Sequence, residues 1–444
     1  VILEPLILDY PMSSVRFHKF TLEGMKEIDE QVADSKAYYY PFVEQSAKES
    51  EGLLTEISKH ASVVITDDYP TYFVPQMTAK VSGEINTRYE LVDSNGIVPI
   101  RLSEKEFVRA HDFRRYLHKN LEDFIIETPL ENPLGVLKKQ FDTSLIKDVQ
   151  GKWVPYDFKN QSINDFLENL NIDKTVEISS INGGYSNALK QLNKFIEVGY
   201  QDYAKYRSDP SKEASSQLSP YFHSGQISTH EVFDKISELE SWSPESINPK
   251  MVGRREGWWG SSDNFESFMD ELITWRELGY HTCVRRANYN QYSSLPEWAI
   301  KTLQEHSLDE REHIYSLDEL TYSQTHDEIW NAAQNQLRTQ GVIQNYLRML
   351  WGKKILEWTP NPQIALSYMI TLNDRYSLDG RDPNSYSGVF WILGRYDRAW
   401  GPERSIFGKI RYMTSDSTAR KFNLKPYLEQ WGNESLDVTT SILK

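Results

Sequence analysis

Residues 325–358 read THDEIWNAAQNQLRTQGVIQNYLRMLWGKKILEW and predict two helices joined by a tight turn. Gly341 lies where the first helical pattern stops, which is typical of a helix C-terminus. Trp351 and Trp358 are seven residues apart, so they share nearly the same face of the second helix, two turns apart. Trp330 lies on the first helix, which is expected to pack antiparallel to the second. Packing in a core explains the spacing of these tryptophans as well as a functional role does.

Helical patterns dominate the chain beyond residue 162. Short loops rich in Pro, Gly or Asp separate the predicted helices, which cover residues 186–205, 228–241, 264–278, 295–306, 325–340, 342–358 and 362–372. Weak periodicity, together with prolines and glycines over residues 121–154, predicts an interdomain linker. We therefore predict a linker over residues 121–161 and a large helical domain over residues 162–444.

The first 120 residues alternate short β-rich runs with helical patterns. Helices are predicted over residues 16–33 and 47–60, and strands over residues 1–8, 37–42, 62–66, 89–92 and 96–99, with 62–66 as a buried strand. Strands that alternate with helices predict a doubly wound parallel sheet, and therefore an α/β domain over residues 1–120. Because the chain opens on Val1 directly in a strand, we expect that an N-terminal piece is absent from this sequence.

The composition is that of an intracellular globular protein. No apolar run approaches the roughly 18–20 residues of a membrane helix, and the first residues lack the pattern of a secretory signal. The single cysteine, Cys283, excludes an internal disulfide and favours a reducing, cytoplasmic compartment. The sequence has no GxGxxG, Walker A, HExxH or GxSxG motif, which disfavours conventional dinucleotide, phosphoryl-transfer, zinc-protease and serine-hydrolase chemistry.

Charge is spread unevenly along the chain, whose net charge is −15. Residues 331–444 hold 15 Lys and Arg against 10 Asp and Glu, whereas residues 1–330 carry a net charge of −20. A basic C-terminal quarter suits a polyanion site confined to one face. The predicted basic rim comprises Arg395, Arg398, Arg404, Lys409 and Arg411. A solvated surface with a chance asymmetry explains the charges equally well.

Two further segments carry residues suited to binding. Residues 215–228, SSQLSPYFHSGQIS, place serine hydroxyls and free backbone N–H groups before a helix, an arrangement that can hold a phosphate, although a capping loop also accounts for it. Residues 271–277, ELITWRE, place Glu271 and Trp275 four apart on one helical face. A carboxylate beside an indole is also common at a packed boundary.

Several long motifs, in order along the chain, resemble those of class II cyclobutane pyrimidine dimer photolyases of the photolyase–cryptochrome family. They are GGYSNALKQLNKF at 183–195, SQLSPYFHSGQIS at 216–228, LRMLWGKKILEW at 347–358, LNDRYSLDGRDPNSY at 372–386 and RSIFGKIRYM at 404–413. The resemblance implies an antenna-type α/β domain, whose first strand and helix would be the absent piece, followed by a helical domain that holds FAD. Residues 6–40 match only loosely, which leaves the identity of any antenna chromophore open.

The resemblance also implies roles for individual residues. Contacts with the phosphates and ribose are implied for Tyr203, Ser215, Ser216, Leu218 and Ser219, and positions around the flavin for Arg276, Arg348, Asn373, Asp379, Gly380 and Arg381. Of these, Arg348 and Asp379 would form a salt bridge beside the isoalloxazine, and Asn373 would face flavin N5. The pocket for a flipped-out dimer is implied for Glu271, Trp275, Asn345, Met349 and Trp391. The family's residues that carry electrons from the surface to the flavin are matched by Trp351, Trp330 and Trp358. The chain departs from the family at Gln344, where His is common, and at Leu350, where Tyr is frequent.

The activity implied by this resemblance is light-driven repair of DNA that contains pyrimidine dimers, by a monomer without a metal or a membrane anchor. A cryptochrome-like photoreceptor is the chief alternative, and it predicts an eroded lesion pocket, whereas Glu271, Trp275 and Trp391 are all present. A six-four photolyase requires histidines where this chain has Asn345 and Met349. A non-catalytic DNA- or flavin-binding scaffold has no use for three such tryptophans.

Overall fold

The computed structural model describes residues 1–126 and 128–432. Its N-terminal part contains four strands and three helices: β1 (Ile2–Leu6), α1 (Val15–Val32), β2 (Tyr39–Val43), α2 (Leu53–Ser58), β3 (Val63–Asp67), α3 (Val74–Glu84) and β4 (Arg88–Val92). β1 pairs with β2 and β3 pairs with β4, both in parallel. The prediction of an α/β part with parallel strands is therefore confirmed, although α3 has no counterpart among the predicted helices.

The four strands form two separate two-stranded ladders among the described residues, not one continuous sheet. β3 was predicted to be buried, and that prediction is wrong because Ile65 is 59% exposed. Residues 96–99 form no strand. The backbone N–H groups of Ile97 and Val98 donate instead to the carboxylate of Glu277, at 2.7 and 3.2 Å. A buried side chain from the helical part therefore takes the hydrogen bonds that a strand neighbour would have made.

The remainder of the described chain is helical, which confirms the predicted class of the second part. Its α-helices are α4 (Ala110–Leu117), α5 (Glu122–Ile126), α6 (Lys147–Lys152), α7 (Ile163–Asn169), α8 (Tyr185–Lys194), α9 (Tyr203–Tyr206), α10 (Ser219–His223), α11 (Thr229–Leu239), α12 (Asp263–Met269), α13 (Arg276–Arg285), α14 (Glu297–Glu305), α15 (Leu317–Thr321), α16 (Glu328–Gln340), α17 (Asn345–Glu357), α18 (Pro362–Tyr376), α19 (Pro383–Ile392), α20 (Ser415–Lys421) and α21 (Lys425–Trp431). None of the described helices has the length and apolar character needed to span a bilayer.

Two of the predicted helices contain a wider turn. The helix predicted over 186–205 changes at Phe195–Gly199 from α- to π-helical hydrogen bonding, and a 3₁₀ turn at Tyr200–Asp202 precedes α9. A second π-helical segment, Asp270–Trp275, joins α12 to α13. Such segments are frequent at functional sites because the inserted turn reorients the side chains around it.

Two apolar clusters form the core of the helical part. One is built mainly from α14 and α16–α19 and contains Trp330, Trp351 and Trp358. The other gathers side chains of α8, α11 and α12 with those of α4, including Phe113 and Leu117. Residues before position 120 therefore contribute to the helical core. The domain boundaries at 120, 161 and 162 stay predictions, and residues 433–444 of the predicted helical domain lie outside the described residues.

The predicted helix–turn–helix around Gly341 is present. Gly341 adopts φ 80°, a left-handed conformation that glycine tolerates, at the C-terminal end of α16. Asp327 begins α16 by accepting a hydrogen bond from the Trp330 N–H, and Gln344 begins α17 by accepting one from the Leu347 N–H. α16 and α17 then pack against each other and place their tryptophans in one core.

Candidate active site

A polar cluster lies where α17 meets the end of α18. The Arg348 guanidinium is 3.3 Å from the Asp379 carboxylate and donates to the Asn373 side-chain oxygen at 3.2 Å. The Asn373 amide nitrogen donates in turn to Ser385 at 3.0 Å. The predicted salt bridge is therefore present, and Asn373 is held in a fixed orientation by partners on both sides.

Asp379 is kept ionised by its surroundings. Burial acts to raise the pKa of Asp379, but the Arg348 guanidinium and the hydroxyls of Ser377 and Ser219 hold that pKa below its usual value. Ser219 was predicted among the phosphate and ribose contacts, and its effect on the pKa of Asp379 links it to the residues predicted around the flavin. The cluster therefore places the positive Arg348 guanidinium and the negative Asp379 carboxylate next to each other in fixed positions.

Glycine is required next to this carboxylate. A Cβ atom at Gly380 would lie 2.9 Å from the carbonyl oxygens of both Asn373 and Ser377, which is closer than Cβ atoms approach backbone. Arg381 follows with φ 65°, and its guanidinium lies 3.5 Å from the ring centre of Phe17. The Arg381 side chain therefore contacts α1, and its predicted place around the flavin stays a prediction.

Arg276 carries an unsatisfied buried group. Its Nη2 donates to the Tyr280 hydroxyl at 3.3 Å, and its guanidinium lies 4.6 Å from the Tyr280 ring centre. Nη1 is buried and has no hydrogen-bond partner among the described residues. A buried donor of this kind costs about 1–3 kcal/mol unless a ligand satisfies it, so the atom marks a place where an acceptor is missing.

The predicted phosphate-binding loop lies before α10. Ser215 and Ser216 are half-exposed, Leu218 is buried, and Ser219 begins the helix. Gln217 between them adopts φ 54°, and the Ser216 carbonyl accepts a hydrogen bond from the Gln191 side chain at 2.9 Å. The loop conformation is thus fixed by its backbone while two hydroxyls remain accessible.

Tyr203 begins α9 and is buried against Phe195 and Phe268. The Arg207 guanidinium, one turn further on, lies 5.8 Å from the Tyr203 ring centre. Tyr203 is therefore a core residue that packs against α12, and its predicted contact with a nucleotide stays a prediction.

Two indoles that are distant in sequence come together in the fold. The ring centres of Trp275 and Trp391 are 5.5 Å apart with an angle of 37° between the planes, and both rings are partly exposed. Trp275 ends the π-helical segment and Trp391 lies on α19, so the pair joins the two apolar clusters. Paired, incompletely buried indoles provide an apolar surface that can accept flat ring systems.

Glu271 lies one turn before Trp275 and forms an ion pair that the sequence did not predict. Its Oε1 is 2.6 Å from Arg207 Nη1. Burial raises the pKa of Glu271; the Arg207 guanidinium opposes this effect and Asp270 adds to it. The Glu271 side chain is 30% exposed and oriented by Arg207, and its carboxylate is easier to protonate than that of a surface glutamate.

Asn345 and Met349 were predicted to line the same pocket. Asn345 is exposed at the first turn of α17, and Met349 is 9% exposed within the cluster against which Trp391 packs. Gln344, where the family commonly has His, donates to the Arg207 carbonyl at 2.9 Å. The start of α17 is thus tied to the residue that holds Glu271. No described contact joins Asn345 to Trp275.

The three tryptophans predicted to carry electrons lie in series. Trp330 Nε1 donates to the Trp351 carbonyl at 2.9 Å, and the ring centres of Trp330 and Trp358 are 5.6 Å apart. Trp351 Nε1 donates to the Gln334 side chain at 2.8 Å. Trp358 is only 2% exposed, and the role of the three tryptophans in electron transfer stays a prediction. Tyr315 and His326 pack over the Trp358 ring and cover it.

The predicted basic rim contains one residue that does not belong to it. Arg395 is 4% exposed because it lies over the Phe390 ring and donates to the Tyr289 carbonyl, so its assignment to the rim is wrong. The other four residues, Arg398, Arg404, Lys409 and Arg411, are exposed. Arg398 and Arg411 both lie over the Trp400 ring, at 4.7 and 5.2 Å from its centre.

A hydrogen-bonded hub beside Arg276 was missed by sequence reasoning. The buried carboxylate of Asp382 accepts from the hydroxyls of Tyr69 and Tyr280 at 3.1 and 3.0 Å and lies 3.4 Å from His223 Nδ1. These residues come from the α/β part, α10 and α13, and no spacing rule connects them. Arg207 was missed for the same reason, because 64 positions separate it from Glu271.

The comparisons with known proteins agree on one family. No protein-family model matches the chain. It is 32% identical over 423 residues to the deoxyribodipyrimidine photo-lyase of Methanothermobacter thermautotrophicus, which covers 95% of this chain and 85% of that protein. It is 32% identical to the photo-lyase of Potorous tridactylus, over 94% and 72% of the two chains. The match to cryptochrome-2 of Arabidopsis thaliana covers only 11% of this chain.

Solved structures share the fold. A class III photolyase from Agrobacterium tumefaciens superposes with a TM-score of 0.63 at 16% identity, over 97% of this chain and 80% of that one. A photolyase from Sulfolobus tokodaii, solved with two FAD molecules, superposes with a TM-score of 0.62 at 15% identity, over 99% and 85%. The architecture predicted from the sequence is thereby confirmed. The identity and coverage of its sequence relatives place the chain in the deoxyribodipyrimidine photo-lyase family.

Proposed function

We propose that the chain binds FAD and DNA and uses light to split cyclobutane pyrimidine dimers. The observation that carries the proposal is the position of Trp275. This indole pairs with Trp391, lies one turn after Glu271, and immediately precedes Arg276 with its unsatisfied Nη1. A surface suited to flat bases and a cationic group that lacks an acceptor thus occupy consecutive residues.

The residues present fit FAD. Arg276 Nη1 lacks an acceptor, Gly380 permits close approach of backbone, and Ser215 and Ser216 offer accessible hydroxyls. The flavin ring would be surrounded by Arg348, Asn373 and Asp379. The phosphates and ribose would be held by Tyr203 and the predicted phosphate-binding loop at residues 215–219. FAD supplies light absorption and transfer of one electron to the dimer when it is bound in its reduced form. Because the electron returns after the ring opens, the reaction has no net redox change.

The chain's own residues would bind and orient the damaged bases. A dimer inside a duplex must be flipped out, and poor stacking makes a damaged base cheap to extrude. Trp275 and Trp391 would provide the apolar wall for the two linked pyrimidines, and Met349 would close the same side. Glu271, oriented by Arg207, would hydrogen-bond the polar edge of the lesion and, when protonated, donate to oxygen atoms that gain negative charge.

The two parts of the chain are expected to have different roles. We infer that residues 1–120 serve as the antenna-type domain and that residues 162–444 hold the cofactor and the lesion. Two features tie these parts together: α4 packs in an apolar cluster of the helical part, and the backbone N–H groups of Ile97 and Val98 donate to Glu277. A light–dark comparison tests the function: FAD-loaded, reduced protein should remove dimers from an oligonucleotide only under illumination. A photoreceptor without repair activity would leave the dimers intact in both samples.

Replacing Glu271 separates lesion recognition from cofactor binding. In Glu271→Ala, FAD stoichiometry should be unchanged, while repair per absorbed photon falls about ten- to a hundredfold, the effect of one lost hydrogen bond to a charged or protonated carboxyl group. Glu271→Gln is the matched control because its amide oxygen can still accept a hydrogen bond from Arg207, although the carboxylate charge is lost. Loss of flavin from Glu271→Ala, with repair intact per remaining flavin, would show that Glu271 belongs to the cofactor site.

Binding to lesion-containing duplex DNA should weaken with salt. Arg398, Arg404, Lys409 and Arg411 are the exposed cations of the basic rim, and each phosphate they neutralise should contribute about 0.9 to the slope of log affinity against log salt. Arg411→Ala should reduce the slope by about that amount. Lys80→Ala, on exposed α3, should leave it unchanged. Equal slopes in all three proteins would exclude the rim as the DNA surface.

A further inference from the structure

Arg276 is held from one side only. Its Nη2 donates to the Tyr280 hydroxyl at 3.3 Å, and its guanidinium carbon lies 4.6 Å from the ring centre of Tyr280 and 5.4 Å from that of Phe222. Among the described residues the guanidinium forms no ion pair at salt-bridge distance, and its buried Nη1 has no hydrogen-bond partner. Two rings and one hydroxyl therefore determine where Nη1 points.

The Tyr280 hydroxyl lies between Arg276 and a buried carboxylate. It donates to Asp382 Oδ2 at 3.0 Å, which leaves its oxygen to accept from Arg276. Burial raises the pKa of Tyr280 and the Asp382 carboxylate adds to this effect, so the phenol keeps its proton although the Arg276 charge opposes both. Burial acts to raise the pKa of Asp382 as well, but His223 and Arg276 hold that pKa below its usual value. The hydrogen bonds therefore run in one direction, from guanidinium through phenol to carboxylate.

The position of this hydroxyl determines how the Arg276 donors are used. A guanidinium that meets a carboxylate directly tends to pair with it through two parallel N–H groups. Arg114 does so with Asp270 of the π-helical segment, at 2.7 and 2.9 Å. Arg276 instead directs Nη2 to Tyr280, and Nη1 keeps its hydrogens for an acceptor that the described residues do not supply.

The α/β part holds the same hydrogen bonds from the other side. Tyr69, two residues after β3, donates to Asp382 Oδ2 at 3.1 Å, and its ring stands edge-on to that of Tyr280 with 6.0 Å between the centres. Thr71 donates to the Arg381 carbonyl at 3.2 Å, directly before Asp382 in the chain. This segment of the α/β part therefore fixes the carboxylate that orients Tyr280.

We propose that Tyr280 is a positioning residue for FAD, because its hydroxyl keeps Arg276 Nη1 available to an acceptor group of the cofactor, and that Tyr69 extends this control to the α/β part. This inference rests on the proposed function, in which Arg276 lies beside FAD. Neither tyrosine lies in the motifs that carried the family resemblance. Without the Tyr280 hydroxyl, Nη2 also lacks its partner, and the guanidinium is free to turn away from the cofactor toward Asp382.

The rate at which FAD leaves the loaded protein in the dark tests this inference without a repair assay, and flavin fluorescence follows the release. Tyr280→Phe should release FAD at least about tenfold faster than the wild type, the effect of one lost hydrogen bond to a charged group. Tyr69→Phe should act in the same direction but more weakly, because Asp382 still accepts from Tyr280. The matched control is Tyr396→Phe, which removes another buried phenol that donates to α13, to Thr282 at 2.7 Å. It should leave the rate unchanged.

A double-mutant cycle separates positioning from a general loosening of the core. In an Arg276→Met background, Tyr280→Phe should cause no further acceleration, because a residue that acts through Arg276 then has nothing left to position. Additive effects of the two substitutions would overturn the proposal, and so would release at the wild-type rate from Tyr280→Phe or Tyr69→Phe. Tyr69→Phe, at a half-buried position, carries the same cycle if Tyr280→Phe does not fold. A wild type that retains no FAD would contradict the proposed function itself, whereas equal rates in all FAD-loaded variants would contradict only this inference.

Discussion

Replacement of Trp351 by phenylalanine is expected to stop light-driven reduction of bound oxidised flavin. Trp351 is 1% exposed, lies on the helix that also carries Arg348, and is linked through its carbonyl to Trp330. Phenylalanine nearly preserves the shape of the site but is far harder to oxidise, so the first electron is no longer available. Repair by flavin reduced with dithionite should survive, because that electron travels from flavin to lesion without passing through the tryptophans.

The same substitution has a predictable structural cost. Phenylalanine lacks the indole N–H that satisfies the buried Gln334 oxygen at 2.8 Å, so the free energy of unfolding should fall by about 1–3 kcal/mol. Trp258→Phe is the matched control, because Trp258 is also buried but packs on His118, outside the series. Flavin bleaching under light with an external thiol measures the effect. Equal bleaching in Trp351→Phe and Trp258→Phe would refute the electron route.

Arg16→Met is expected to cause the largest loss of stability. The Arg16 guanidinium is buried, forms no ion pair at salt-bridge distance among the described residues, and donates to five backbone carbonyl oxygens. Nε donates to Glu177 at 2.7 Å, Nη1 to Tyr376 at 2.7 Å and Leu337 at 3.3 Å, and Nη2 to Arg338 at 2.5 Å and Thr339 at 3.2 Å. Residues 337–339 end α16, where the helix dipole favours a positive charge. One side chain of α1 thereby joins the α/β part to the helix of Trp330.

Removal of that side chain leaves buried carbonyls without donors and should lower the free energy of unfolding by about 3–5 kcal/mol, as for other broken buried charge networks. Arg16→Lys should recover only part of this, because an ammonium has three donors and cannot match the planar guanidinium. Arg88→Met, at an exposed arginine, is the control and should change stability by less than about 0.5 kcal/mol. Urea unfolding provides the comparison. A loss below about 1 kcal/mol in Arg16→Met would show that water replaces the guanidinium.

Local patterns in the sequence predicted the helical part well. The 3.6-residue periodicity, Gly341 and the polar residues before each helix depend on neighbours within a few positions, and α16, α17 and α18 appear where those signals lie. Strand exposure could not be predicted in this way. SVVIT has the composition of a buried strand, yet among the described residues β3 pairs with β4 alone in a two-stranded ladder, and Ile65 is exposed.

Contacts between site residues that are distant in the sequence could not be predicted from local patterns either. Trp275 and Trp391 lie 116 positions apart, and only the family resemblance placed them in one pocket. Arg207 carries no motif of its own, although its ion pair with Glu271 determines the orientation of the pocket carboxylate. The burial of Trp358 and its contact with Tyr315 depend on how residues 313–326 fold back over α17. Long-range packing of this kind leaves no periodic signal in the chain.

Splitting of a defined dimer by reduced, FAD-loaded protein tests the proposed repair activity most directly. An oligonucleotide with a single cyclobutane thymine dimer is mixed with dithionite-reduced protein, illuminated at wavelengths that reduced flavin absorbs, and analysed chromatographically for intact thymines. We expect the dimer to disappear in the light, to remain in the dark, and to yield thymine with no net consumption of reductant. A dimer that stays intact in the light, although flavin is bound and reduced and the oligonucleotide is bound, would contradict it.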